Sequence, residues 1–187
     1  MMIVVIKHVK IEGPGIIGNF FQNTSWKIRT IELGKNDKLP KVSSEIEAVI
    51  VLGGPMNVNQ EGRFPFLKDE NVFLKEIVKE KIPILGICLG AQLLAKACGV
   101  KVKKALREEI GWHKVNLTEE GRKDSLFKDI DRELDVFQWH QDTFDIPEGA
   151  TLLATSNPCK NQAFRFGKNA HGLQFHIEVT PTMVESW

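Results

Sequence analysis

A chain of 187 residues that is 42% hydrophobic, with 25 basic side chains against 24 acidic ones and a net charge of +1, has the size and composition of one domain, residues 1–187, too short for a second core. No basic stripe for nucleic acid and no acidic tail stands out, and no apolar run is long enough to span a bilayer. Three cysteines (Cys88, Cys98 and Cys159) without a CxxC pair point to a reducing, cytoplasmic setting, and the opening MMIVVIKHVK lacks the basic start and small-residue cleavage site of a signal peptide.

In chain order, the β-branched run Ile3–Ile6 predicts a strand buried on both faces, broken by Gly13-Pro14-Gly15. Ile16–Phe21 has helical spacing. Trp26–Leu33 alternates like a strand, and Lys35–Ser44 is a polar loop. Ala48–Leu52 is a second buried strand that stops at Gly53-Gly54-Pro55, and Asn57–Pro65 reads as a surface excursion. Apolar residues at 66, 67, 73, 74, 77 and 78 predict a helix over Phe66–Lys81. Pro83 opens the strand Ile84–Ile87, and Gly90–Cys98 is a helix with Gly99 as its C-cap.

The second half has a different texture. Val100–Ala105, Gly111–Leu117, Asp135–Trp139, Thr151–Thr155, Gln162–Phe166 and Gly172–Phe175 are short strand candidates, and only Ser125–Ile130 and Thr180–Trp187 look helical. Thr180-Pro181 is a good helix start, with a capping side chain and then Pro at the first position. So short a helix is marginal unless docked, and the chain is expected to stop inside an element that is longer in its relatives. The order predicts an α/β fold whose central sheet is parallel early and partly antiparallel late. Phe20, Phe21, Phe73, Phe137 and Phe164 sit in apolar runs and are expected in the core.

The stretch ILGICLGAQLLAKACG, 84–99, carries chemistry. Strand, then G-I-C-L-G, then helix is the layout of a nucleophile elbow. It would put the Cys88 side chain at the carboxyl end of a strand, where ligands bind in open α/β sheets. The free N–H groups and dipole of the following helix favour the thiolate, the form that attacks. A buried packing cysteine is the competing reading, and it is the one given to Cys98 and Cys159. The elbow alone does not decide between them.

A thiol nucleophile needs a base, and the base needs a group to orient it. In GLQFHIEVT, 172–180, His176 and Glu178 lie two apart and share a face if the strand continues through them. Acyl chemistry also needs oxyanion donors. The N–H of Leu89 is one candidate, and Gly53-Gly54, where glycine allows close approach, offers the other. His8, His113 and His171 have no evident partners and read as structural or surface residues. A metal site at His140, Asp142, His176 and Glu178 is the weaker alternative, since it leaves the elbow cysteine unexplained.

Together G-I-C-L-G-A-Q at 86–92, L-G-G-P at 52–55 and Q-F-H-I-E at 174–178 resemble the class I glutamine amidotransferases, in order and in spacing. GRFPFL, E-I-G-W at 109–112 and F-Q-W-H-Q-D-T-F at 137–144 resemble stand-alone members related to the amidotransferase domain of GMP synthase, whose plant relatives act as γ-glutamyl peptidases. The resemblance implies a flavodoxin-like three-layer fold and a Cys–His–Glu triad at Cys88, His176 and Glu178. It implies oxyanion donors at Gly54 and Leu89. A substrate pocket would be formed by Gly53, Gln92, His140, Gln141, Asp142 and Thr143, with no cofactor and no metal. Ile177 replaces the proline the family usually carries between the His and the Glu.

The expected reaction is hydrolysis of glutamine or a γ-glutamyl compound through a glutamyl thioester on Cys88. No synthetase domain or P-loop is read in these residues. The ammonia would therefore pass to a separate synthetase partner, or the chain would cleave γ-glutamyl bonds alone. A silent binding module is a third possibility, opposed by the intact Cys, His and Glu.

Overall fold

The computed structural model describes residues 2–187. Four strands come first: β1 (Met2–Lys7), β2 (Ile28–Glu32), β3 (Ile46–Val51) and β4 (Ile84–Ile87). Five follow: β5 (Val102–Leu117), β6 (Glu133–Phe144), β7 (Ala150–Thr155), β8 (Ala163–Phe166) and β9 (Ala170–Leu173). They form one nine-stranded sheet in the order β2-β1-β3-β4-β9-β8-β7-β5-β6. The pairs β1–β2, β1–β3, β3–β4 and β4–β9 are parallel, and the remaining pairs are antiparallel.

Helices α1 (Gly15–Gln22), α2 (Phe66–Lys79) and α3 (Leu89–Ala97) cover the parallel half. The two-residue period of β1 divides its side chains between two layers. Val4 and Ile6 pack with Leu67, Leu74, Ile77, Leu93 and Leu94 of α2 and α3. Ile3 and Val5 join Ile50, Leu52 and Ile87 on the other face, against Ile17 and Phe21 of α1. A further cluster, with Val115, Leu153, Leu173 and Phe175, fills the antiparallel half.

The expected mixed α/β sheet is therefore present, with several revisions. The predicted strands at 100–105 and 111–117 are one long strand, β5, whose register against β6 shifts between Lys104 and Glu109, and whose Gly111 has φ +95°. The bulge interrupts the alternation, which is why one strand reads as two. β6 continues beyond the predicted end at Trp139 to Phe144 and so carries the whole His140–Thr143 segment. The expected helix at 125–130 is a single 3₁₀ turn, Ser125–Phe127. The short α4 (Glu119–Lys123) before it escapes the sequence reading, because Gly121 masks a start capped by the Thr118 hydroxyl.

β9 ends at Leu173, so His176 and Glu178 do not lie on a strand; His176 makes one isolated bridge to Phe137. Helix α5 (Pro181–Ser186) starts as predicted, with Thr180 accepting from the Met183 N–H. Phe73, Phe137 and Phe164 are buried and Phe21 is half-buried, but Phe20 is exposed on the outer side of α1. Among the described residues no helix is long and apolar enough to cross a membrane.

Candidate active site

β4 ends at Ile87 and α3 begins at Leu89, so one residue makes the corner. Cys88 turns the chain with φ 50° and ψ −107°. The corner is tight enough to require both flanking glycines. A Cβ on Gly86 would sit 2.5 Å from the Gly90 carbonyl oxygen, and one on Gly90 would collide with the backbone of Val51. The Cys88 N–H donates to the Leu173 carbonyl at 2.8 Å, which fixes the corner against β9. Cys88 is only 6% exposed, and it lines a cavity of about 660 Å³.

His176 enters the same cavity. Its Nδ1–H donates to Glu178 Oε1 at 2.7 Å, while Glu178 Oε2 accepts the Ile177 N–H at 3.0 Å. A proline at 177 would lack that donor, so the substitution adds a tie to the carboxylate. The loop is anchored on both sides: the His176 N–H donates to the Phe137 carbonyl at 2.8 Å and the Ile16 N–H donates to the Glu178 carbonyl at 2.9 Å. The Trp187 ring stands edge-on to the imidazole at 4.9 Å. Burial pushes His176 down, but the charge and hydrogen bonding of Cys88, and then of Glu178, outweigh it, and the imidazole is pushed up to about 10.

Gly54 and Leu89 also line the cavity. Leu89 opens α3, so its N–H has no intrahelical acceptor. Gly53 does not itself line the cavity but packs against Glu12, His176 and Cys88, which do. A Cβ there would lie 3.1 Å from the His176 ring and 3.7 Å from Cys88 Cβ, so glycine keeps this wall thin.

Of the residues expected to hold substrate, Gln92, His140, Gln141 and Asp142 line the cavity. Gln92 Nε2 donates to the Asp142 carbonyl and to Gln174 Oε1, both at 3.3 Å. Asp142 Oδ2 accepts from Asn57 Nδ2 at 2.5 Å. Thr143 does not line the cavity: its hydroxyl lies 3.2 Å from Cys159 Sγ. The four-residue metal set does not converge. His140 hydrogen-bonds the Asp142 carbonyl through Nδ1 and Glu109 through Nε2, and His176 is committed to Glu178. Glu109, His140 and Cys159 do approach one another, but Glu109 already accepts from His140, Gln162 and Ser156.

A family model described as glutamine amidotransferase class-I matches residues 21–186. The chain belongs to the class I glutamine amidotransferase family. It is 41% identical to a glutamine amidotransferase of Thermotoga maritima of known structure, with a TM-score of 0.93 over all of this chain and 80% of that one. It is 28% identical to the glutamine amidotransferase-like protein YfeJ of Salmonella typhimurium, over 99% of this chain and 79% of that protein. It is also 35% identical to a glutamine-hydrolysing GMP synthase subunit of Saccharolobus solfataricus, over 74% of this chain and 70% of the relative. Against the GMP synthase of Bacillus velezensis the identity is 42% over 71% of this chain, which spans only 24% of that protein.

In this amidotransferase several residues at the cavity escape the sequence reading. Glu12 and Asn57 line it, as does Trp187. Burial pushes the Glu12 carboxyl up, and His176 and His8 only partly offset this. His8 does have a partner: it is fully buried and paired with Glu70 of α2 at 3.0 Å. The signal is present in the sequence, since Glu70 sits three residues after Leu67 and four before Leu74, on the apolar stripe of α2. His171 likewise pairs with Asp124, at 3.0 Å.

Proposed function

We propose that this amidotransferase hydrolyses the γ-amide bond of glutamine or of a γ-glutamyl compound, with Cys88, His176 and Glu178 as its triad. The observation that carries the reading is the convergence of an elbow thiol and a carboxylate-held imidazole on one cavity that also receives the N-terminus of α3. The Cys88 thiolate attacks the γ-carbonyl carbon. The oxyanion forms between the N–H groups of Gly54 and Leu89. The C–N bond breaks as His176 gives its proton to the departing nitrogen, leaving a glutamyl thioester. Water then adds to that thioester with His176 as base, and glutamate leaves. Gln92, Gln141 and Asp142, with Asn57 bonded to Asp142, form the wall suited to the α-amino and α-carboxylate end of the substrate. Free cysteines and a thiol nucleophile suit a reducing compartment such as the cytoplasm.

The test is glutamate release by the purified chain alone from glutamine and a panel of γ-glutamyl amides and peptides, with Cys88→Ala beside it. Release that disappears in the variant is expected, and the best substrate defines the leaving group. Silence on every substrate overturns independent hydrolysis. A second reading, ammonia supply to a separate synthetase, is favoured by the relatives named as subunits of GMP synthase. It predicts release only when a synthetase chain is added.

A further inference from the structure

The peptide between Gly53 and Gly54 is trans, so its carbonyl and its N–H point in opposite directions. The carbonyl oxygen of Gly53 accepts at 2.7 Å from Nδ1 of His8, a buried residue that does not line the cavity. The other ring nitrogen, Nε2, donates to Glu70, at 3.0 Å to Oε2 and 3.2 Å to Oε1. Both side chains are wholly buried. A neutral imidazole could satisfy only one of these two acceptors, because it carries a single N–H. Burial pushes His8 down, but the charge and hydrogen bond of Glu70, the Gly53 carbonyl and the charge of Glu12 outweigh it, and it titrates above the ordinary histidine range. With an acceptor at each ring nitrogen, His8 is placed to donate twice, as an imidazolium behind the peptide would.

We propose that the His8–Glu70 pair is a positioning device for the oxyanion donor: it grips the Gly53 carbonyl, turns the Gly54 N–H toward Cys88, and polarises that N–H. This rests on the function proposed above. Three elements meet in the device. His8 follows β1, Gly53-Gly54 follow β3, and Glu70 belongs to α2, so α2 holds the imidazole and the imidazole holds the peptide. The packing leaves little freedom for another arrangement, since a Cβ on Gly54 would lie 2.8 Å from a Leu89 methyl and 3.0 Å from His8 Cβ. A donor fixed before the reaction needs no reorganisation when charge develops on the substrate oxygen. A hydrogen bond to the carbonyl of a peptide also strengthens its N–H as a donor, because neighbouring bonds polarise one another. Like the buried pairs His140–Glu109 and His176–Glu178 it joins an imidazole to a carboxylate, but it acts on the peptide rather than on the thiol.

The experiment compares the wild-type chain with Glu70→Gln and with the double variant His8→Leu/Glu70→Leu, which removes both charges together and leaves neither buried alone. Three quantities are read: glutamate release from the best γ-glutamyl substrate, the rate of Cys88 alkylation by iodoacetamide, and the ¹⁵N resonance of the Gly54 amide. In the double variant kcat should fall by roughly 10²-fold with KM little changed, the scale of losing one oxyanion donor. Alkylation, which forms no oxyanion, should keep its wild-type rate, and the Gly54 resonance should move. Glu70→Gln, which keeps a partner for the ring, should lose less. A folded double variant with wild-type kcat or an unmoved Gly54 resonance overturns the proposal, and so does equal loss of release and alkylation. If the wild-type chain hydrolyses no substrate, it is the proposed function that fails, and the resonance alone decides whether His8 sets the peptide.

Discussion

His176 holds its charge where water is nearly excluded, because Glu178 and Cys88 replace the solvent. Its value is raised from the ordinary 6.5 to about 10, so the ring stays protonated across the neutral range and loses its proton only as the pH climbs toward that value. An NMR titration of the His176 ring should therefore find its midpoint well above 6.5, and Glu178→Gln should bring the midpoint down. The same variant leaves the ring without its carboxylate and should lower kcat roughly 10²–10⁴-fold. A midpoint near 6.5 in the wild type would remove the charged pair from the mechanism. At this scale the sequence pairs His176 with Glu178 but does not give the geometry of the pair. Strand alternation predicts the pairing of His176 with Glu178, yet β9 stops at Leu173, and the pairing comes instead from a loop pinned at Phe137 and Ile16. Position 177 shows what alternation hides: its side chain matters less here than its N–H.

Among the elements, the parallel half is the more legible. Strands β1, β3 and β4 are buried on both faces, and their unbroken apolar runs leave few other readings. β5 has one face largely in solvent and a bulge in its middle, so its pattern breaks where its backbone does not. The turn at Ser125–Phe127 depends on a long-range partner set that no local pattern displays. Asp124 accepts from the Leu126 N–H at 3.0 Å, meets His171 of β9 at 3.0 Å and pairs with Arg165 of β8 at 2.7 Å. Burial pushes its carboxyl up, but the Leu126 N–H, His171 and Arg165 outweigh it, and it lies below the usual aspartate range. A lowered native value makes the contribution to stability fully present above the unfolded aspartate value of 3.8 and lost as the pH falls through the native one. Asp124→Asn should thus cost roughly 1–3 kcal/mol at neutral pH, the scale of a broken buried hydrogen-bond set. Urea unfolding across a pH series should show the gap from wild type closing in acid; a constant gap would assign Asp124 a packing role only.

For the whole molecule, sheet order decides where the chemistry lies. β4 sits between β3 and β9, so Cys88 emerges beside the Gly53-Gly54 turn on one side and the loop of His176 on the other. The antiparallel arm then brings Trp139 to Asp142 across the mouth of the cavity from the far edge of the same sheet. Three short motifs mark the parts of this arrangement in the sequence. The long-range pairs that brace it, His8 with Glu70 and His140 with Glu109, are 62 and 31 positions apart. Nothing in local periodicity relates such positions, although a carboxylate on the apolar stripe of α2 is a sign that one such pair exists.

The corner at Cys88 has a thermodynamic side. A residue with a Cβ held at φ 50° and ψ −107° stores strain on the order of 1–3 kcal/mol, kept in place by the surrounding packing. Once the thiol is given up, the conformational penalty need not be. Cys88→Ala retains it, whereas Cys88→Gly relieves it, so the glycine variant should unfold at the higher temperature of the two. That is the reverse of their order inside a helix, where glycine is the weaker by about 1 kcal/mol. Thermal unfolding of the two variants, side by side, measures how much fold stability the protein forgoes to keep a side chain in that position.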